Sequence, residues 1–563
     1  MTEEFDAIVI GSGISGGWAA KELCENGLKT LVLERGRPIQ HGKDYPTANM
    51  APWEFKYRGS MSREFLEENP LISKAAGFGA DTAHFFVEDK DHPYVQKKPF
   101  DWIRGYQVGG RSIIWGRACQ RWSKYEFQAP HKFGYGIEWP VDYETMAPWY
   151  SHVEKFVGVC GNKDGIEAMP DGEFLPPFDF NCVEEHMREV LEEHYPDRHL
   201  VHARWAHLTE PKAIHLEQGR GKCQARNLCM RGCPYGGYFS SVSSTLPWAD
   251  KTGNLTVRPF SVVHSILFDE ESGKASGVKV IDSKSGEESI FKARIIFLNA
   301  SALNSNLILL NSRSARFPDG LGNDNGLLGK YICFHLYRGS AGGRMPGFQD
   351  TYRYGRNPTD LILANYRNLG QKETDYVGGF TTFCGAYRER NHRLDNSEVQ
   401  LGAAFKNALS EAGDWHIYMY MQGETIPKET NRVYLSPDKT DQWGIPLLVT
   451  DVGYDENDDK MVADWLEQSV KMLEKFGCTD IVSRDNHQAP GLDIHEMGGV
   501  RMGKDPSTSL LNQWNQLHQC KNVFVTDGAC MTSTGNQSPS ILYMALTARA
   551  ANYAASEFRE GHF

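Results

Sequence analysis

Two strand patterns predict an α/β protein of two parts. The first 36 residues hold an apolar run, Phe5-Asp6-Ala7-Ile8-Val9-Ile10, then a glycine-rich turn at 11–16 and a helical stretch from 17 to about 26. A second run, Leu31-Val32-Leu33, follows and ends at Glu34. An apolar strand feeding a GxGxxG turn and a helix is the dinucleotide fingerprint of a Rossmann-like domain. Further buried-strand runs at 293–298 and 522–525 lie far downstream, so this domain is built from discontinuous segments. Between them, residues 330–455 alternate strand-like segments with turns, which predicts an α+β substrate domain with an antiparallel sheet.

Taken in order, Gly27 sits where a helix C-cap is expected. Residues 43–99 are aromatic and charged with little periodicity, and read as loops and lid-like excursions. Strands are expected at 255–257 and from 262 to 268, the latter in a hairpin with 275–281. The run at 293–298 leads through the small-residue turn Asn299-Ala300-Ser301-Ala302 into a helix at 304–310. Residues 458–476 form an amphipathic helix, and the chain ends in a strand from 522, a long turn and a helix at 540–558, with Ser540 as its N-cap. The nucleotide domain is thus assigned to 1–42, 100–160, 220–330 and 490–563, and the substrate domain to 161–219 and 331–489.

At 563 residues the chain is too long for a single core. Its formal charge of −12 argues against a general nucleic-acid or anionic-membrane surface, and no apolar run reaches the ~18 residues of a membrane span. The start enters a strand directly, with no signal peptide, which makes a cytoplasmic location the expectation. The 55 glycines exceed the usual share of roughly 7%, so backbone must approach something closely at several places.

Gly11, Ser12, Gly13, Ser15 and Gly16 form the fingerprint turn. Its glycines admit a pyrophosphate, and the helix N-terminus offers free N–H groups. Glu34, with Arg35 beside it, is placed to accept from an adenosine ribose, and its charge disfavours a 2′-phosphate. The turn alone does not separate FAD from NAD.

Three further segments do. A second glycine-rich stretch runs from Gly105 to Gly116; Trp139-Pro140, Tyr143 and Tyr150 follow; and 522–528 ends a strand on Asp527-Gly528 before a helix carrying Met544-Ala545-Leu546-Thr547-Ala548-Arg549. Together these resemble the glucose–methanol–choline (GMC) oxidoreductases, FAD-dependent oxidases and dehydrogenases of alcohols and sugars. The resemblance implies that Gly109, Gly110, Ser112, Trp115 and Gly116 lie beside the flavin ring. It places Asp527 and Gly528 at the ribityl–pyrophosphate part, with Val263 and Ala300 completing the cofactor set. Some relatives attach FAD through a histidine where this chain has Ile114, so the FAD here is expected to be non-covalent.

Oxidising an alcohol also needs a base for the hydroxyl proton, and a histidine titrates in the right range. His495 opens His-Glu-Met-Gly-Gly-Val-Arg-Met-Gly, which resembles the family's HxxGTxRMG; by that resemblance His495 is the base. The family places a histidine or asparagine just before a proline ahead of the last helix. This chain has Ser538 there, with Asn536 two residues upstream. Asn536 is favoured as the catalytic partner, with Ser538 kept beside it.

Of twelve cysteines, Cys223, Cys229 and Cys233 cluster as Cx5Cx3CP, which suits an iron–sulfur cluster better than zinc. Three local ligands point to three irons (3Fe-4S); a four-iron cluster would need another ligand, and a cysteine-rich loop without metal is the alternative. Arg226 and Arg231 would offset its charge. The spacing resembles bacterial GMC dehydrogenases that pass electrons to a cytochrome subunit. Tyr238-Phe239-Ser240-Ser241, Thr245-Leu246-Pro247 and Ala249 resemble the glucoside 3-dehydrogenase and gluconate dehydrogenase branch. The resemblance implies a carbohydrate substrate, plausibly oxidised at a pyranose 3-position, a small subunit and a cytochrome-type acceptor, with co-export to the periplasm as the alternative location. The rival functions are an oxygen-using pyranose or alcohol oxidase and a non-catalytic flavoprotein subunit.

Overall fold

A computed structural model describes residues 4–351, 357–389, 401–410 and 412–563, and only the backbone of 408 and 409. The first three residues, part of the start read above as leaderless, lie outside the described residues. Glu4–Ile10 pairs in parallel with Thr30–Leu33 on one side and with Glu288–Leu298 on the other. Leu255–Arg258 extends the sheet past Thr30–Leu33, and the antiparallel hairpin Ser261–Asp269 with Lys274–Asp282 forms the far edge. Glu288–Leu298 is shared on that side: its first half pairs with Lys274–Asp282 and its last three residues, in parallel, with Val523–Val525. Start, middle and end of the chain therefore meet in one seven-stranded sheet.

Alternate side chains of this sheet enter two cores, as the two-residue strand period requires. Ala7, Val9 and Val32 pack with Ala19, Ala20 and Leu23 of helix Ile14–Glu25 and with Ala550, Ala551 and Ala554 of helix Ser540–Arg559. Ile8, Ile10, Leu31 and Leu33 enter the other core. The small alanines let both helices lie close against the strands. Ser540 is the first residue of the last helix, not its cap; Pro539 occupies the N-cap position without a side-chain bond.

A second seven-stranded sheet runs Thr479–Asp485, Gly339–Met345, Trp415–Glu424, Phe380–Arg388, Leu361–Leu363 and Leu200–His202, with His335–Leu336 joined to Trp415–Glu424. Its pairings are antiparallel. One face is covered by helices Cys182–His194 and Glu456–Phe476, through Val183, Met187, Leu191, Met461, Trp465 and Phe476. Each such buried side chain contributes about 1.5–3 kcal/mol. Along Trp415–Glu424 this face takes Trp415, Ile417, Met419 and Met421. The intervening Tyr418, Tyr420 and Gln422 consequently point to the opposite face, where the site lies.

Residues 43–99 hold short helical turns and the strand Val95–Gln96, which pairs with Pro446–Asp451. This excursion is therefore stitched to the substrate side. Among the described residues, no helix is long and apolar enough to cross a membrane.

Candidate active site

One cavity of about 780 Å³ runs between the two sheets, within the size range of small-molecule sites. Its wall includes Gly11, Ser12, Gly13, Ser15, Glu34, Arg35, Gly110, Ser112, Trp115, Gly116, Val263, Ala300, Asp527 and Gly528, together with His495 and Ser538. Gly11 has φ +97°, and a Cβ there would stand 2.3 Å from the Asn299 carbonyl oxygen, whereas a Cβ on Gly13 would meet nothing within 4 Å. Gly13 leaves the turn open to a ligand; Gly11 makes the turn. Gly16 and Gly109 sit behind the wall. Gly16 allows the helix to pack on the Gly11 carbonyl, and the Gly109 N–H donates to Ser12 Oγ at 2.9 Å.

Ser12 Oγ in turn donates to Glu34 at 2.6 Å, and the Gly36 N–H donates to its other oxygen at 3.0 Å. Glu34 thus braces the turn while lining the cavity, and burial pushes its carboxyl up. Asp527 accepts from Ser305 Oγ at 2.5 Å and the Ala529 N–H at 2.9 Å, and burial raises it to about 6. The far end of the cavity carries Arg35 stacked over Tyr106 at 4.2 Å, near Trp443. An open glycine cradle, a helix N-terminus and flat stacking surfaces fit a dinucleotide such as FAD.

His495 follows Ile494, a β-branched residue held at φ +63°, strain of the kind that clusters at working sites. His495 Nδ1 lies 2.9 Å from Nδ1 of His335, whose Nε2 lies 3.1 Å from the Gly535 carbonyl oxygen. A carbonyl only accepts, so His335 carries its proton on Nε2 and accepts at Nδ1. His495 must then donate from Nδ1, which leaves its Nε2 as the basic nitrogen. Burial lowers His335 to about 3 and, reinforced by His335 and Arg111, holds His495 well below the ordinary histidine range. Both rings are therefore neutral near pH 7. Asp493 accepts from the backbone N–H groups of His335 and His495 at 2.9 and 3.3 Å, and burial, with Glu496 adding, raises it to about 7. Arg111 pairs with Glu496 at 3.0 Å beside them.

The pre-proline loop departs from the expectation for Asn536, which is absent from the cavity wall. Its carboxamide is fully buried, accepting from Thr381 at 2.8 Å and donating to Glu424 at 3.2 Å. Two polar partners on the second sheet hold it inward. Ser538 reaches the cavity instead, donating to Gln422 Oε1 at 3.2 Å; the Tyr337 hydroxyl donates to the same oxygen. His335 and Tyr337 were not found from sequence. Neither sits in a local motif, and His335 meets His495 across 160 positions.

Cys223, Cys229 and Cys233 are half-buried and line one small cavity. Among the described residues, their three sulfurs do not gather within 4.8 Å of one another, a looser set than one tetrahedral ion wants. Arg226 lines that small cavity with them, as expected, whereas Arg231 does not. Arg226 donates to Asn49, and Arg231 pairs with Asp81 at 2.7 Å, because acceptors on the 48–81 excursion lie nearer. Two other guanidiniums flank the cysteines, Arg117 and Arg220, 6% and 1% exposed. Their hydrogen bonds go to carbonyls, an amide oxygen and a thioether, and each keeps a buried N–H without a partner. Burial draws Arg220 down to about 9 against the pull of Cys233. Met230, next to Cys229 in sequence, lines the large cavity.

A glycine-cradled dinucleotide site whose wall also bears a neutral, oriented imidazole defines an oxidoreductase of the flavin-binding type. The chain belongs to the GMC oxidoreductase family, whose N-terminal region matches residues 5–336 and C-terminal region 427–547. It is 26% identical to 2-methyl-1,2-propanediol dehydrogenase of Mycolicibacterium austroafricanum, over 99% of this chain and 96% of that one. It is 23% identical to the fructose dehydrogenase large subunit of Gluconobacter japonicus, over 99% and 98%. Among solved structures, a formate oxidase variant from Aspergillus oryzae RIB40 superposes with a TM-score of 0.62 at 14% identity, covering 100% of each chain. The protein is accordingly an FAD-dependent oxidoreductase acting on CH–OH groups, of the family's alcohol- and sugar-oxidising dehydrogenases and oxidases.

Proposed function

We propose that this protein is a sugar dehydrogenase that converts a pyranose hydroxyl, at the 3-position of a glucoside, to a ketone and passes the electrons to an external acceptor. The observation that carries this is the histidine chain, Gly535 carbonyl to His335 to His495, which leaves an unprotonated nitrogen on a ring lining the cofactor cavity. FAD, when bound, supplies the two-electron hydride acceptor. Gly11, Gly13, Ser12, Glu34, Asp527 and Gly528 would hold it. As the substrate carbon gives up hydride, its hydroxyl proton goes to His495 Nε2, and His335 steadies the imidazolium through Nδ1. Ser538 rotates its hydroxyl off Gln422 to hold the substrate oxygen, while Asn536 supports the loop from behind.

Cys223, Cys229 and Cys233 would hold a three-iron cluster that offers a one-electron exit to a cytochrome-type partner, and its absence would favour the oxidase. Support comes from Arg117 and Arg220, buried cations without an acid, which suit an anionic centre in the small cavity. Met230, next to Cys229 in sequence and on the wall of the large cavity, suits electron passage. The similarity to a protein named as a large subunit supports a small-subunit partner. The test is anaerobic: holoprotein mixed with a panel of glycosides, with flavin bleaching and the product ketone identified. Bleaching by glucosides with little peroxide in air, and iron in anaerobically purified protein, are expected. Bleaching by simple alcohols alone, or stoichiometric peroxide, would overturn the sugar or the dehydrogenase part respectively.

A further inference from the structure

The cavity wall that bears His495 also carries Tyr337, Asp360, Phe383 and Tyr420, with the Tyr337 ring 6.1 Å from that of His495. Asp360, 2% exposed, precedes the strand Leu361–Leu363. The hydroxyl of Tyr418 donates to its Oδ1 at 2.6 Å and that of Tyr420 to its Oδ2 at 2.8 Å. The two tyrosines are i and i+2 on Trp415–Glu424, so one strand face delivers both. Tyr420 is fixed by stacking on Phe383, ring centroids 5.2 Å apart and 9° from parallel, its cross-strand neighbour. Tyr418 has room to reach Asp360 because position 385 is glycine: a Cβ there would stand 2.7 Å from the Tyr418 hydroxyl oxygen.

We propose that Asp360 and Tyr420, with Tyr418 holding the Asp360 carboxylate from behind, form the substrate-recognition subsite, which selects donor-rich substrates by accepting hydrogen bonds from groups other than the hydroxyl being oxidised. Each tyrosine donates its proton to the carboxylate, so Asp360 and Tyr420 present acceptor oxygens to the cavity. Such a surface takes O–H or N–H donors and rejects apolar chains, whose burial would leave a carboxylate desolvated. The flat face of Tyr420 continues the patch in the way sugar rings prefer. Two ligand chemistries share this feature, a neutral polyhydroxy ring and an amino sugar. This rests on the proposed sugar oxidation for its direction, but it concerns binding and is testable without turnover.

The experiment uses FAD-loaded wild type, Asp360→Asn and Tyr420→Phe; the last keeps the ring stack, so it reports on the hydrogen bond if the asparagine variant folds badly. Methyl β-glucopyranoside, 2-amino-2-deoxyglucose and 1-propanol are titrated against the flavin absorbance of oxidised protein, and anaerobic flavin reduction is followed. Asp360→Asn is expected to weaken glucoside binding ten- to a hundred-fold and to lower the glucoside-to-propanol ratio of kcat/KM by at least ten-fold, with Tyr420→Phe in the same direction. Weakening confined to the amino sugar identifies the ammonium as the group recognised and still supports the subsite. Equal losses for glucoside and propanol, or no loss for any probe, overturn it. Glucoside that binds in an Asp360-dependent way yet never reduces the flavin upholds the subsite and removes the proposed oxidation.

Discussion

His495 and His335 act as a pair in which one ring does the chemistry and the other chooses its tautomer. Replacing His495 by Gln removes the base and should slow flavin reduction by about 10²–10⁴-fold. His335→Leu should leave the base in place but remove the acceptor at its Nδ1, with a smaller loss. Its signature is in pH. A base works unprotonated, so kcat/KM falls only as pH drops below its pKa. Burial lowers the His495 pKa first, and His335 and Arg111 add to it, so the wild-type acid limb should lie well below pH 6.5. With its own pKa lowered to about 3, His335 repels only when protonated. Near neutral pH it is a neutral acceptor that steadies the His495 imidazolium, so His335→Leu removes that support and the limb should move to lower pH. His335→Gln, whose carboxamide can both accept from His495 and donate to Gly535, should restore most of the rate. An unmoved limb would assign His335 a purely structural role. His495 was legible because its segment is a contiguous motif. His335 was not, since a lone histidine in a strand carries no mark of the ring it will meet 160 positions away.

At the scale of elements, the opening strand–turn–helix was readable because its chemistry is local, with an apolar run, a turn that only glycine permits and a helix start in sequence. Its two outer-wall glycines should nonetheless fail differently. Gly11→Ala forces an L side chain to φ +97° and a Cβ to 2.3 Å from Asn299, so it should destabilise the protein itself, by about 1–3 kcal/mol from the backbone strain alone. Gly13→Ala meets no protein atom, so the FAD-free form should melt near wild type while FAD affinity drops, because the added methyl stands where the cofactor approaches. Thermal melts with and without added FAD separate the two, and a Gly13→Ala melt as low as that of Gly11→Ala would contradict the assignment. The antiparallel sheet was legible as a class, but not which face of it works. The alternation along 415–424 puts Tyr418, Tyr420 and Gln422 opposite a helix-covered core, and only the packed helices say which side is which. The pre-proline loop shows the same limit, since Asn536 is drawn away by Thr381 and Glu424, residues on other strands.

Across the whole molecule, the motif positions already implied that distant segments share one sheet, because each ends a strand where a nucleotide would lie. What spacing could not supply was the surroundings of the cysteines. Arg226 and Arg231 bond to Asn49 and Asp81, while Arg220, just before Cys223, and Arg117, from just past the second glycine-rich stretch, are buried and stay acid-free. A buried cation favours the more negative, reduced form of a nearby redox centre and so raises its potential. Arg220→Met should therefore lower the potential of a cluster at Cys223, Cys229 and Cys233, on the order of tens of millivolts for one charge at this range. The same change at Arg226, which is only half-buried and is tied to the Asn49 side chain and the Ala48 carbonyl, should lower it less. The measurement is a redox titration followed by electron paramagnetic resonance on anaerobically purified holoprotein, with iron determined in each variant. A larger shift for Arg226 than for Arg220 would mean that Arg226, and not the buried pair, sets the electrostatics of the proposed electron exit. Wild-type protein without iron would remove the exit altogether, leaving electrons no route from the flavin except directly to a diffusing acceptor.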